Sequence, residues 1–131
     1  HKELPDGIRR RITPKPYHMR IYHFPRCSKS RAGLKYLEEK GYEPEIIQYL
    51  KDQPITEENL RTILMKLNKK PQDIIRTQEK TYKDNFKGKQ FTEDEWIRIL
   101  VENPRLLQRP IVETRHKAVI GNPPENIDAL L

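Results

Sequence analysis

A single cysteine, Cys27, occurs in the whole chain. That excludes an intramolecular disulfide and any cysteine-rich zinc site. Long apolar runs are missing too: nothing approaches the ~18 consecutive apolar residues of a membrane span, and no apolar signal segment follows the N-terminus. The expectation is a chain that neither crosses a membrane nor is secreted, and a lone thiol suits the reducing cytoplasm. Hydrophobic residues are scarce, at 34% beside an equal 34% of charged ones. Adding the five glycines still leaves the apolar share below the roughly 45–50% of average usage. A chain of 131 residues can nevertheless bury about two-thirds of its unfolded surface around one core. One domain, with or without a tail, is expected.

The net charge of +7 is a weak guide to partners. Nearly half of it sits in residues 1–18, where Arg9, Arg10 and Arg11 lie among Pro5, Pro14 and Pro16. This stretch reads as a flexible leader, or as an addition from the expression vector, with Met19 as a natural start. Beyond it the signs alternate, as where Glu57 precedes Arg61 by four, which is the mark of solvated helix faces. A nucleic-acid surface would need its basic groups gathered on one face beside stacking aromatics, so that role is disfavoured.

From Met19 the pattern is strand, turn, helix, strand. Met19–His23 is short and β-rich and ends before Pro25; Ser28–Lys40 has helical spacing and stops at Gly41; Ile46–Leu50 is β-rich again. A right-handed crossover would make these strands parallel. Thr56 caps a helix over Glu57–Leu67 with Leu60, Ile63, Leu64 and Leu67 on one face. Pro71 starts a short helix through Arg76. Thr92 and Glu95 form a capping box ahead of Trp96, Ile97, Ile99 and Leu100, whereas 77–90 reads as a mobile or irregular connection. Arg109–Val112 and Ala118–Ile120 flank a turn as a hairpin would, and Glu125–Leu131 closes the chain as a helix. The fold class this predicts is α/β, a thioredoxin-like four-stranded mixed sheet with a helical insertion, spanning residues 19–131.

Cys27 is the centre of the chemistry. A free cysteine is often only a small core residue, but this one falls between a strand end and a helix start. Peptide N–H groups and the helix dipole favour an anion there, which lowers a thiol pKa and supplies a nucleophilic thiolate. His23, Arg26 and Arg31 add basic groups nearby in sequence. Cys27-Ser-Lys-Ser30 has the four-residue frame of a redox dithiol with serine in place of the second cysteine. An adduct or disulfide on Cys27 must then be resolved by another molecule's thiol. Taken alone, Arg76 reads as a helix-end ion pair or cap and His23 as a structural residue.

Ile21-Tyr-His-Phe-Pro-Arg-Cys27-Ser-Lys-Ser30-Arg31 resembles the active-site segment of the glutaredoxin-dependent arsenate reductases. The resemblance runs on through Tyr49-Leu50, Pro54-Ile55-Thr56, Ile74-Ile75-Arg76, Leu107-Gln108-Arg109-Pro110-Ile111-Val112 and Ala118-Val119-Ile120-Gly121. It implies that Cys27 attacks arsenate, that His23 assists the thiolate, and that Arg76 and Arg109 hold the oxyanion, with Ser30 and Asn122 as contributors. It further implies glutathione as thiol co-substrate, glutaredoxin as protein partner, no bound cofactor, no metal, and a cis-proline at Pro110. Guanidinium forks suit such an anion because they donate bidentate, charge-assisted bonds.

Two positions depart from the family pattern. Asn122 stands where a third arginine is usual, and Phe24 where an asparagine is. The related Spx-type regulators, which bind RNA polymerase, share the fold. Many of them carry Cys-x-x-Cys, whereas this chain has Cys-x-x-Ser and keeps both arginines. A thiol reductase or binding protein of this fold that handles no arsenate is the remaining alternative, since fold alone does not select a substrate.

Overall fold

The structure is a computed structural model that describes residues 18–131; apart from His18, the expected leader lies outside the described residues. Two compact units divide the chain. One runs up to Ile47 and resumes from Arg109 to Leu131, and the other is Gln48–Gln108. Among the described residues no helix is long and apolar enough to cross a membrane.

The first unit holds a four-stranded sheet: β1 (Met19–Tyr22), β2 (Glu45–Ile47), β3 (Ile111–Thr114) and β4 (Ala118–Ile120). Their order is β2-β1-β3-β4. β1 and β2 are parallel, and the other two pairs are antiparallel. Helix α1 (Ser28–Glu39) is the crossover between the parallel strands. Side chains alternate between the faces of a strand, so Ile21 and its partner Val112 share one face. With Met19 they pack in a cluster with Leu37 of α1 and with Ile127 and Leu130 of the 3-10 segment Pro124–Leu130. The opposite face carries Tyr22 and Glu113, both buried, where the phenol donates to the carboxylate at 2.7 Å. Burial and that bond together push the Tyr22 phenol well above its ordinary pKa, so it stays protonated as a donor.

The buried stripe of α1 is Ser30, Gly33 and Leu37, spaced i, i+3, i+7 as one helix face requires. Its first half is small because Pro110 sits against it. A Cβ at Gly33 would lie 2.6 Å from Pro110 Cγ, and one at Gly121 would lie 3.2 Å from the same atom. The Arg109–Pro110 peptide is cis, and so is Asn122–Pro123.

The second unit is helical. Helix α2 (Glu57–Leu67) buries Leu60, Ile63, Leu64 and Leu67, and α4 (Glu93–Glu102) buries Trp96, Ile97 and Leu100. Both start with a capping box, expected at Thr92 and Glu95 and completed by Asn59 at the expected N-cap Thr56. The Asn59 N–H donates to Thr56 Oγ1 at 3.0 Å, and the Glu95 N–H donates to Thr92 Oγ1 at 3.1 Å. A bridge between Ile75 and Leu107, flanked by Arg76 N–H to Leu106 O at 2.7 Å, ties the middle of the unit to its C-terminal end.

Several boundaries differ from expectation. Residues 77–90 are not an irregular connection: Lys80–Asn85 forms helix α3. The cause is the stack that follows it. Phe86 packs at 6.1 Å from both Phe91 and Trp96, which themselves meet edge to face at 4.9 Å. Two side chains within and just after a polar run thus anchor it, an effect that average polarity hides. β2 ends at Ile47 rather than Leu50, because Gln48 leaves the sheet for a turn closed by Lys51 N–H to Gln48 O at 3.1 Å. β3 begins at Ile111 and reaches Thr114, since Pro110 has no N–H to give a ladder. The segments after Pro71 and Pro124 are 3-10 turns rather than α-helices.

The close approach at Gly33 makes a prediction. Replacing Gly33 by alanine improves helix propensity by about 1 kcal/mol but drives a methyl group into a proline ring that has little freedom to yield. We expect a net destabilisation of about 1–2 kcal/mol, read as a lower urea midpoint with an unchanged slope. A variant as stable as the parent would show that α1 shifts freely on the sheet.

Candidate active site

Cys27 is the N-cap of α1, with φ −93° and ψ 122°. The turn that delivers it is set by Pro25, whose fixed φ suits the second position of a β-turn. That turn closes with Cys27 N–H donating to Phe24 O at 2.9 Å, and the first helical bond follows from Arg31 N–H to Cys27 O at 3.0 Å. Arg31 fastens the same loop from the other side, its Nη1 donating to Pro25 O at 2.8 Å.

Two opposing influences act on the thiol. Burial pushes its pKa up, but a hydrogen bond from the Arg109 side chain, the N–H groups of Ser30 and Lys29, and the charge of Arg109 outweigh it. The net result is a thiol held below its ordinary value. The sulfur makes no regular N-cap hydrogen bond, so the first-turn amides act mainly through their orientation towards it. Arg109 is buried, only 5% exposed. Its guanidinium carbon lies 4.9 Å from the centroid of the Phe24 ring.

His23 and Ser30 form the inner wall. His23 Nδ1 and Ser30 Oγ are 2.7 Å apart, and Ser30 Oγ also accepts the Phe24 N–H at 2.9 Å. Both residues are buried. Burial first, and the charge of Arg31 second, hold the His23 imidazole below its ordinary pKa. Near pH 7 it is therefore neutral and acts through hydrogen bonding, not as a cation beside the thiol. The positive charge that favours the thiolate comes from Arg109, 82 positions along the chain from Cys27.

The remaining sequence-predicted residues fall as follows. Pro110 follows Arg109 directly and packs on Gly33 and Gly121 of α1 and the β4 end. Asn122 lies just past β4, exposed, with its carbonyl accepting from Asn126 Nδ2 at 3.3 Å. Arg76 belongs to the helical unit. Its Nε donates to Glu79 Oε2 at 3.0 Å, both side chains being largely buried. Glu79 escaped sequence reading, although Arg-x-x-Glu is a spacing at which side chains meet on one turn. The face-on contact between Phe24 and Arg109 also escaped it, because nothing local to either residue announces the other. Among the described residues no group of three or more His, Cys, Asp and Glu side chains could hold a metal ion.

Comparison with known proteins agrees with this architecture. The ArsC family profile matches residues 22–130. The chain belongs to the ArsC family. Relatives include the YfgD protein of Escherichia coli K12, 41% identical over 111 residues, covering 83% of this chain and 92% of that protein. An arsenate reductase of Neisseria meningitidis serogroup A is 39% identical over 115 residues, covering 86% and 97%. Among solved structures, the arsenate reductase of Vibrio cholerae superposes with a TM-score of 0.81 at 35% identity, covering 87% of this chain and 98% of that one. The four-stranded mixed sheet with its helical insertion is thus the thioredoxin-like ArsC fold.

The electrostatics of this ArsC site yield a direct test. Removing the guanidinium in Arg109→Gln takes away both the hydrogen bond and the charge that favour the thiolate. The pH midpoint for alkylation of Cys27 by iodoacetamide should then rise by about one unit or more. An unchanged midpoint would mean that the helix start alone activates the thiol.

Proposed function

We propose that this ArsC-family protein is an oxidoreductase that reduces arsenate to arsenite through a covalent adduct on Cys27. The observation that carries this reading is a cysteine set at the start of a helix, its thiol held below its ordinary pKa by the buried Arg109 guanidinium. One site thereby pairs a nucleophile with an anion-binding guanidinium. A thiolate is the attacking species in such chemistry, and a fixed guanidinium stabilises the charge that develops on the anion.

The proposed sequence of steps is as follows. The Cys27 thiolate attacks the pentavalent arsenic; an As–S bond forms, an As–O bond breaks, and the oxygen leaves as water after protonation. Glutathione displaces a second oxygen as water, leaving arsenic between two sulfurs. A glutaredoxin thiolate then attacks the glutathione sulfur and forms a mixed disulfide, while the electron pair of the breaking As–S bond stays on arsenic. The arsenic is now trivalent, and hydrolysis of its bond to Cys27 releases arsenite and restores the thiol. An external thiol is needed because the chain has one cysteine, and Ser30 occupies the place of a resolving partner.

In this scheme Arg109 is the oxyanion ligand of the sheet unit, and His23 with Ser30 holds the Cys27 turn in shape. Asn122 offers an amide, not a charge. No bound cofactor or metal takes part, and the cytoplasm, where glutathione is reduced, is the compartment that suits the reaction.

The deciding assay measures arsenite formed from arsenate with glutathione and glutaredoxin present. Cys27→Ser should lose turnover while keeping its fold, and turnover in that variant would refute the mechanism. Asn122→Arg supplies a charged donor beside the β4 end and should lower the KM for arsenate by about tenfold, the lower end of what a hydrogen bond to a charged group contributes. A KM that does not respond would place the anion away from Asn122.

A further inference from the structure

Phe24 belongs to the turn that carries the thiol, and its surroundings give it a task. Its backbone is fixed at both ends of the peptide unit. The N–H donates to Ser30 Oγ at 2.9 Å, and the carbonyl accepts the Cys27 N–H at 2.9 Å. The ring, half-buried, therefore projects from the same turn that carries the sulfur. The Arg109 guanidinium carbon is 4.9 Å from the ring centroid, inside the ~6 Å range over which a ring face attracts a cation.

We propose that Phe24 is a positioning residue, its ring face holding the Arg109 guanidinium beside the Cys27 sulfur, where a bound oxyanion would also meet it. The physical case has three parts. A cation as buried as Arg109 must be compensated by its surroundings. An aromatic face attracts it through the ring quadrupole yet accepts no strong hydrogen bond, so it takes up none of the guanidinium's donors. An amide or carboxylate in the same place would engage those donors directly. The half-buried ring also keeps water from one side of the guanidinium, which strengthens its attraction for an anion on the other. The part of this inference that concerns the oxyanion rests on the function proposed above, whereas the part that concerns the thiol does not.

The test compares the parent chain, Phe24→Leu, Phe24→Tyr, Arg109→Gln and the double variant Phe24→Leu/Arg109→Gln. Two quantities are read: the pH midpoint of Cys27 alkylation by iodoacetamide, and the protection of Cys27 by inorganic phosphate, an unreactive tetrahedral oxyanion. Phe24→Leu should raise the midpoint by about 0.5–1 pH unit and weaken phosphate protection about three- to tenfold, as loss of a partly desolvated cation–π contact implies. Phe24→Tyr should match the parent, since it keeps a ring of the same size. In the Arg109→Gln background, Phe24→Leu should add nothing, because a residue that acts through another has no effect once that other is gone.

A Phe24→Leu variant that titrates like the parent would overturn the proposal, as would a shift that persists undiminished without Arg109. A leucine variant that loses its fold is distinguished by Phe24→Tyr: a parent-like tyrosine variant supports the ring's role, and a tyrosine variant with a raised midpoint overturns it. Failure of phosphate to protect even the parent chain refutes the oxyanion reading, and the alkylation midpoints then decide the Phe24 proposal alone.

Discussion

A guanidinium buried at the foot of a β-strand, with a thiolate as one of its partners, is the constraint around which the sheet unit is organised. Arg109 can occupy that place only if Cys27 reaches it. Cys27 reaches it only because β1 ends before Pro25, the following turn closes on Phe24, and α1 begins at once. The strand pairing of β1 with β3 sets the ends of those two strands side by side. A contact between residues 82 positions apart is thereby fixed by backbone hydrogen bonds that involve neither side chain. The chemistry of the site is a consequence of sheet register.

The same constraint explains why the first half of α1 is small. A helix that is to deliver a thiol next to the residue before Pro110 must lie close to the proline ring, and the 2.6 Å approach at Gly33 leaves no room for a methyl group. Ser30 is buried for the complementary reason. Its hydroxyl is the polar group that accepts the Phe24 N–H and meets the imidazole of His23. Buried polar groups are costly when unpaired, so Ser30 serves the turn's architecture at least as much as its chemistry. Leu37 carries the apolar packing of the helix two turns further on.

The order of the strands and main helices, the parallel crossover, the hairpin, the Thr56 cap and the Thr92–Glu95 capping box were legible in the sequence, because each rests on local signals: β-rich runs, prolines, and threonines ahead of an apolar helical pattern. Helix α3 was not legible, since its anchor is a three-ring stack whose members lie on both sides of a polar stretch. The thiol's position at a helix start could also be read locally. The source of its positive charge could not, for two of the basic residues near it in sequence, Arg31 and His23, are engaged elsewhere or neutral. Arg31 bonds to the loop carbonyl of Pro25, and His23 is buried without its proton near neutrality. Arg109 was identified through family resemblance rather than through any property of its own neighbourhood, and that resemblance, which supplies an asparagine at position 24, could not anticipate an aromatic face beneath the guanidinium.

Ionisation and folding are coupled in this arrangement, and the signs of the two titrating groups agree. Cys27 has a folded-state pKa below its ordinary value, so its thiolate contributes stability above the unfolded pKa and loses that contribution as pH falls through the folded one. His23 is also held below its ordinary value. The unfolded chain therefore takes up a proton there first on acidification, and stability again declines as pH drops below the usual histidine range. Both groups shift the folded site's preference away from acid, towards the ionised sulfur and the neutral imidazole. Within the sheet unit the Arg109 guanidinium is the cation that lowers the Cys27 pKa. In the proposed reaction an arriving oxyanion would share that cation, and with Asn122 uncharged past β4, its capture by the sheet unit would depend on how firmly the guanidinium is held in place.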